Sequence, residues 1–147
     1  VKLDFDHVSL DTVRYWARRT MHWYDLNGFV ILASSPHCFH VVFDHTVTWT
    51  ENVKIMAWVA LLTKHRKLTG WFIMQCIKQG STLRVSPKQA KPTPRIVDRA
   101  GFQNAEIRAF LRYRAMILEW LSQDGDAEGT VRVPVRSSTQ QIKEILN

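Results

Sequence analysis

The sequence predicts an α+β domain, a mainly antiparallel sheet with helices packed on one face, close to an RRM-like or split β-α-β arrangement. Three observations predict it. Short apolar runs with strand character stand near the amino end and in the middle of the chain, longer segments repeat their apolar residues at helical spacing, and turn-forming residues separate the two kinds. The expected order is β-α-β-β-α-β-β-α.

In residues 1–5, Leu3 and Phe5 alternate with Lys2, Asp4 and Asp6, which predicts a strand with both aspartates on one side. Ser9 reads as the N-cap of an amphipathic helix whose apolar positions are Leu10, Val13, Ala17, Thr20, Met21 and Tyr24. Asp25-Leu26-Asn27-Gly28 ends that helix with turn chemistry. Phe29 to Ala33 and Phe39 to Phe43 then read as a hairpin about the turn Ser34-Ser35-Pro36-His37. If Phe39, Val41 and Phe43 face the core, His40 and Val42 face the other side; in a sheet covered on both sides the pattern assigns no faces.

Thr48 and Glu51 fit a capping box that opens a second helix through Ile55, Met56, Val59 and Leu62, with a stop near Gly70. Trp71 to Ile77 and Leu83 to Val85, flanking Gln79-Gly80-Ser81, predict a second hairpin. Pro87, Pro92 and Pro94 make the next stretch irregular or edge-like. A long helix over about 104–121, a polar loop at 124–129, a short strand at 131–135 and a terminal helix complete the reading. The chain is expected to be one domain with its core in 1–100 and an extension in 101–147. A start inside a strand is the expectation for a piece cut from a longer protein.

With 46% apolar and 22% charged residues, the composition is globular rather than disordered. No apolar run approaches the roughly 20 residues of a membrane span, and no signal peptide opens the chain, so no membrane association is expected. Only Cys38 and Cys76 occur, which favours a reduced intracellular protein, cytoplasmic or nucleoid-associated; a disulfide between adjacent strands is the alternative. The net charge of +7 points to polyanionic partners, DNA or RNA and nucleoside triphosphates.

Two hard carboxylates on one strand face, Asp4 and Asp6, suit Mg²⁺ or Mn²⁺ completed by substrate phosphates. A solvent-facing pair at a strand end would have the same spelling. His40, beyond the Ser34 turn, can contact a phosphate or be a sheet histidine satisfied by backbone. The densest one-sign stretch carries Lys78, Arg84, Lys88, Lys91, Arg95 and Arg99 against the single acid Asp98. Such a surface suits phosphates, and as a solvated edge it would also resist aggregation. His37, His40 and His45 lack a four-ligand zinc pattern.

Leu3-Asp4-Phe5-Asp6 and the segment Ser34 through His40, in this order with a helix and a strand between them, resemble the catalytic core of the archaeo-eukaryotic primase superfamily, the primase-polymerases. The resemblance spans residues 1–45; the second motif carries Ser35 and Cys38 where the family's longer form has glycines. It implies a nucleic-acid-directed nucleotidyl transferase of DNA replication using two Mg²⁺ or Mn²⁺ ions. Asp4 and Asp6 would be catalytic metal ligands, joined by Asp98 or its rival Asp44. Ser34, His40, Arg84 and Lys88 would bind nucleotide phosphates, and Lys78, Lys91, Arg95 and Arg99 would bind nucleic acid. The alternative is a non-catalytic DNA- or RNA-binding relative using the Lys78 to Arg99 surface. A third class is an assembly domain whose charge only solubilises it.

Overall fold

The computed structural model describes residues 1–89 and 91–123. Strand β1 (Lys2–Asp6) is followed by helix α1 (Leu10–Trp23), the hairpin β2 (Gly28–Ser35) and β3 (Cys38–Phe43), helices α2 (Trp49–Thr63) and α3 (Arg66–Lys78), strand β4 (Arg95–Gly101) and helix α4 (Ala105–Gln123). The four strands form one antiparallel-paired sheet in the order β1-β3-β2-β4. Since β3 is antiparallel to both β1 and β2, those two run parallel with β3 between them, joined by α1. This half is a split β-α-β unit. The fourth strand adds on the β2 edge.

Alternation decides the faces. Leu3, Phe5, Phe29, Ile31, Phe39, Val41 and Phe43 point to one side, where Val13 and Ala17 of α1, Met56 and Val59 of α2, and Leu68 of α3 close the main core. Each fully buried Phe or Leu here contributes on the order of 2 kcal/mol. Trp58 extends this layer by receiving Trp16, Trp23 and Tyr24 in edge-to-face contacts at ring-centroid distances of 6.2, 5.2 and 5.6 Å. The expectation that helices cover one face only is corrected. Val30, Leu32 and Val42 point the opposite way and pack against Ile107, Phe110 and Leu111 of α4.

The caps read from the sequence are present. Ser9 accepts the Thr12 amide at α1, and Thr48 with Glu51 makes a reciprocal capping box at α2. The second hairpin is not. Trp71 to Ile77 lies within α3, and Leu83 to Val85 forms no strand. Helix α2 ends instead at Lys64, in left-handed conformation with φ 52°, and His65 Nδ1 accepts the Leu68 amide to start α3. Gly70 does not stop it, because its position faces open space on an exposed surface. The strand content expected there is supplied later by β4, whose carbonyls and amides pair with β2.

Cys38 on β3 and Cys76 on α3 are both free thiols, so they are not partners on adjacent strands. The loop at 124–129, the strand at 131–135 and the terminal helix lie outside the described residues. No helix among the described residues is long and apolar enough to cross a membrane.

The join between β2 and β4 is tight. A Cβ on Gly28 would stand 2.2 Å from the Phe102 carbonyl oxygen and 2.7 Å from that of Ala100. Both atoms are backbone and cannot rotate away. Gly28→Ala is therefore expected to destabilise the fold by about 3 kcal/mol, read as a lowered urea midpoint with an unchanged slope.

Candidate functional site

The sheet register brings the first residues together. Asp4 pairs with His40 across β1 and β3, Asp6 pairs with Cys38, and His40 pairs with Leu32 on β2. With Leu3, Phe5, Phe39 and Val41 in the main core, Asp4, Asp6 and His40 are turned to the opposite face. Ser34, two residues beyond Leu32, joins them there and donates its hydroxyl to the Cys38 carbonyl at 3.3 Å. Helix α4 covers this face only around Val30, Leu32 and Val42. The remainder is open to other groups.

The segment after α3 supplies those groups. Its start is tied down at Thr82, whose amide and hydroxyl both donate to Gln75 Oε1, at 3.0 and 3.2 Å. Lys2 Nζ donates to the Ser81 carbonyl at 3.3 Å. Arg84 then reaches across, donating to the carbonyls of Ser34 at 2.6 Å and of Ser86 and Pro92 at 2.7 Å each. A guanidinium has five N–H donors, so Arg84 clamps the end of β2 to this segment and retains donors for an anion. Lys88 and Lys91 exchange backbone hydrogen bonds of 3.1 and 2.9 Å across a tight turn in which Gln89 is left-handed, with φ 51°.

These parts border one cleft of about 300 Å³, with Asp4, Asp6, Ser34 and His40 on its sheet side and Arg84, Lys88 and Lys91 on the other. Within it His40 Nε2 lies 3.5 Å from Asp4 Oδ1, and that oxygen is buried without a hydrogen-bond partner among the described residues. Burial first, and then the Asp6 charge, push the Asp4 carboxyl up to about 7. Burial and the Arg84 charge push His40 down to about 4, against the smaller upward pulls of Asp6 and of a hydrogen bond with the Arg84 backbone. The folded site thus disfavours a negative Asp4 and a positive His40 alike.

The site fits a divalent cation in its donor chemistry. Mg²⁺ is commonly held by one or two carboxylates with waters and substrate phosphates completing its shell, and an orphaned oxygen of Asp4 beside Asp6 matches that requirement. Among the described residues no group of three or more His, Cys, Asp or Glu forms a metal cage, zinc at His37, His40 and His45 included.

The expected third carboxylate does not reach the cleft. Asp98 pairs opposite Ile31, whose side chain is in the main core, so it faces α1, where Arg14 Nε donates to it at 2.6 Å. Partial burial alone would raise its pKa, but Arg14 and the Arg99 amide together hold it below the usual carboxylate range. Asp44 is buried and accepts the amides of Asn104 and Ile107. It works as the cap of α4. Neither acid lines the cleft.

The other basic residues are distributed along the chain. Lys78 is exposed at the end of α3, and Arg99 is exposed on β4 opposite Val30. Arg95, also exposed on β4, borders a second cavity. Lys91 lines the cleft together with Lys88. The anchoring role of Gln75 was not foreseen, because its segment read as a strand; buried on α3, it is the fixed point from which the loop returns.

No family model, curated protein or solved structure matches the chain.

Two outcomes follow from these contacts. Asp44→Ala is expected to lower stability by about 2 kcal/mol through loss of the α4 cap, seen as a lowered midpoint in urea unfolding. Asp4 has a raised folded pKa, so its stabilising contribution is complete below the ordinary carboxylate value and is lost as pH rises through about 7. In chelator, Asp4→Asn should therefore gain on the wild type between pH 5 and pH 8, measured by urea midpoints at both pH values. An equal difference at the two values would refute the assignment.

Proposed function

We propose that the cleft binds nucleoside triphosphate with a divalent cation and serves nucleic-acid-directed nucleotidyl transfer of the primase-polymerase type. One observation carries this reading: acidic, histidine and cationic residues from separate stretches of chain border a single cleft, as phosphate chemistry requires. The sequence resemblance of the Asp4-Phe5-Asp6 strand and the Ser34 to His40 turn supports it independently.

Asp4 and Asp6 would hold Mg²⁺ or Mn²⁺. The bound ion would neutralise developing charge on the triphosphate and lower the pKa of an attacking 3′-hydroxyl. The protein's own part is positioning. Lys88 and Lys91 give point charges to phosphate oxygens, and the remaining Arg84 donors lie beside them. His40 stays neutral because of its burial, and with its one ring N–H turned to the Arg84 backbone its other nitrogen can accept from a hydroxyl without adding charge.

A specific observation favours a second reading, a non-catalytic DNA- or RNA-binding module. Asp98 is bound to Arg14 and Asp44 to the start of α4, which leaves two carboxylates at the cleft among the described residues. The readings part on chemistry rather than affinity. Nucleotidyl transfer requires template-dependent extension of an oligonucleotide with Mg²⁺ or Mn²⁺, reduced at least about a hundredfold in Asp4→Asn,Asp6→Asn. Salt-sensitive oligonucleotide binding that survives this double change, with no extension by the wild type, would establish the binding module instead.

Cation binding can be read without turnover. Millimolar Mg²⁺ with triphosphate should raise the melting temperature of the wild type at pH 8 and leave Asp4→Asn,Asp6→Asn unmoved by the added metal. Equal metal-dependent shifts in both proteins would sink the two-carboxylate cation site.

A further inference from the structure

A second cavity, of about 490 Å³, lies at the same end of the sheet but on the other face. It is lined by Leu10 at the start of α1, Ala33 and Phe39 on the hairpin, Pro36 at its turn, Pro92, and Val97 on β4. Ser34 borders both this cavity and the phosphate cleft. So does the segment from Lys88 to Arg95, whose Lys88 and Lys91 line the cleft and whose Pro92 and Arg95 line the cavity. The Arg84 clamp, which holds the Ser34 and Pro92 carbonyls to one guanidinium, ties together the wall that the two openings share.

We infer that this cavity receives an unpaired base of a single-stranded nucleic acid whose backbone runs along the Lys88 to Arg95 segment into the cleft. The inference rests on the phosphate reading of the cleft and names the polymer that would extend from it. Its chemistry is that of a base. The exposed lining is mainly apolar, with the Phe39 ring and the His37 imidazole among it, and a volume of this size is ordinary for a ligand pocket. Arg95 stands exposed at the rim, where the phosphate next to an inserted base would lie. A base inserted against apolar and aromatic side chains adds sequence-tolerant affinity, while the cations track the backbone.

An apolar cavity next to Lys88, Lys91 and Arg95 suits a polymer that carries bases as well as phosphates. A sugar-phosphate chain without bases would satisfy Lys88, Lys91 and Arg95 and leave the cavity empty. That difference gives the experiment. Binding of a short single-stranded oligothymidylate and of the same chain made wholly abasic is measured by fluorescence anisotropy with wild type, Ala33→Leu and Val97→Phe, alongside inorganic triphosphate on each protein.

The wild type should bind the thymidylate chain about tenfold more tightly than the abasic one. Either cavity-filling change should abolish that preference and leave triphosphate binding intact; two variants at different strands guard against misfolding of one. Equal affinity of wild type for both chains would overturn the inference while triphosphate binding still upheld the cleft. A preference that persists in both correctly folded variants would place base recognition elsewhere and likewise overturn it. Failure of triphosphate itself to bind would remove the phosphate reading, and the base cavity with it.

Discussion

The period-two register of β1, β3 and β2 is the constraint on which the rest of the molecule depends. A strand gives alternate side chains to opposite faces, and this sheet uses both. Leu3, Phe5, Phe39 and Val41 take the face closed by α1, α2 and α3, and that choice sends Asp4, Asp6 and His40 to the other. A slip of one residue in the β1–β3 pairing would bury two carboxylates and expose two core side chains. The hydrophobic energy of the main core therefore fixes the polar site: the same contacts that stabilise the fold orient its chemistry.

The second face is divided between a covering helix and an opening. Val30, Leu32 and Val42 hold α4, while the end bearing Asp4, His40 and Ser34 is bordered by the returning 81–91 segment. Asp44 fixes where that division falls. It closes β3 and receives the first amides of α4, so the helix is docked at the Gly28 end of the sheet and away from the cleft. Gly28 and Gly101 allow the close backbone approach that this docking needs. One carboxylate that the sequence offered as a catalytic candidate thus has a stabilising role at the opposite end of the same face.

The elements most legible in the sequence were those whose signals are local. Ser9, Thr48 and Glu51 sit at helix starts because their side chains satisfy free amides within three residues, and β1 alternates because one face of it is core. The common side of Asp4 and Asp6 followed from strand alternation; their meeting with His40 depends on the β1–β3 pairing, which no local signal announces. What could not be read was tertiary. Trp71 to Ile77 has strand composition, but Leu68 and Gln75, seven residues apart, are both buried on α3, and that helical repeat outweighs β propensity. Asp98 follows a strand-like pair as expected, yet a bulge between Ile31 and Leu32 sets the pairing of β4 and turns Asp98 toward Arg14. Neither the bulge nor the partner on a distant helix leaves a mark in the local sequence.

The electrostatics of the cleft explain why its two kinds of charge belong together. Asp4 and His40 hold a folded state in which, between about pH 4 and the usual histidine value of 6.5, the acid is protonated and the imidazole neutral. In an unfolded chain over that window the acid is ionised and the imidazole protonated, so both states bind one proton and the pair gives little slope to stability. Above about 7 the buried carboxylate ionises beside Asp6, and the charges of Lys91 and Arg84 across the cleft relieve the repulsion between them only in part. A phosphate oxygen brought within about 4 Å of such a carboxylate would be repelled by roughly 4 kcal/mol at an effective dielectric of about 20. Lys88 and Lys91, exposed to solvent, cannot offset this fully. On the proposed reading, a divalent ion between carboxylates and phosphate would reverse the sign of both interactions and so make cation and phosphate binding mutually dependent in this cleft.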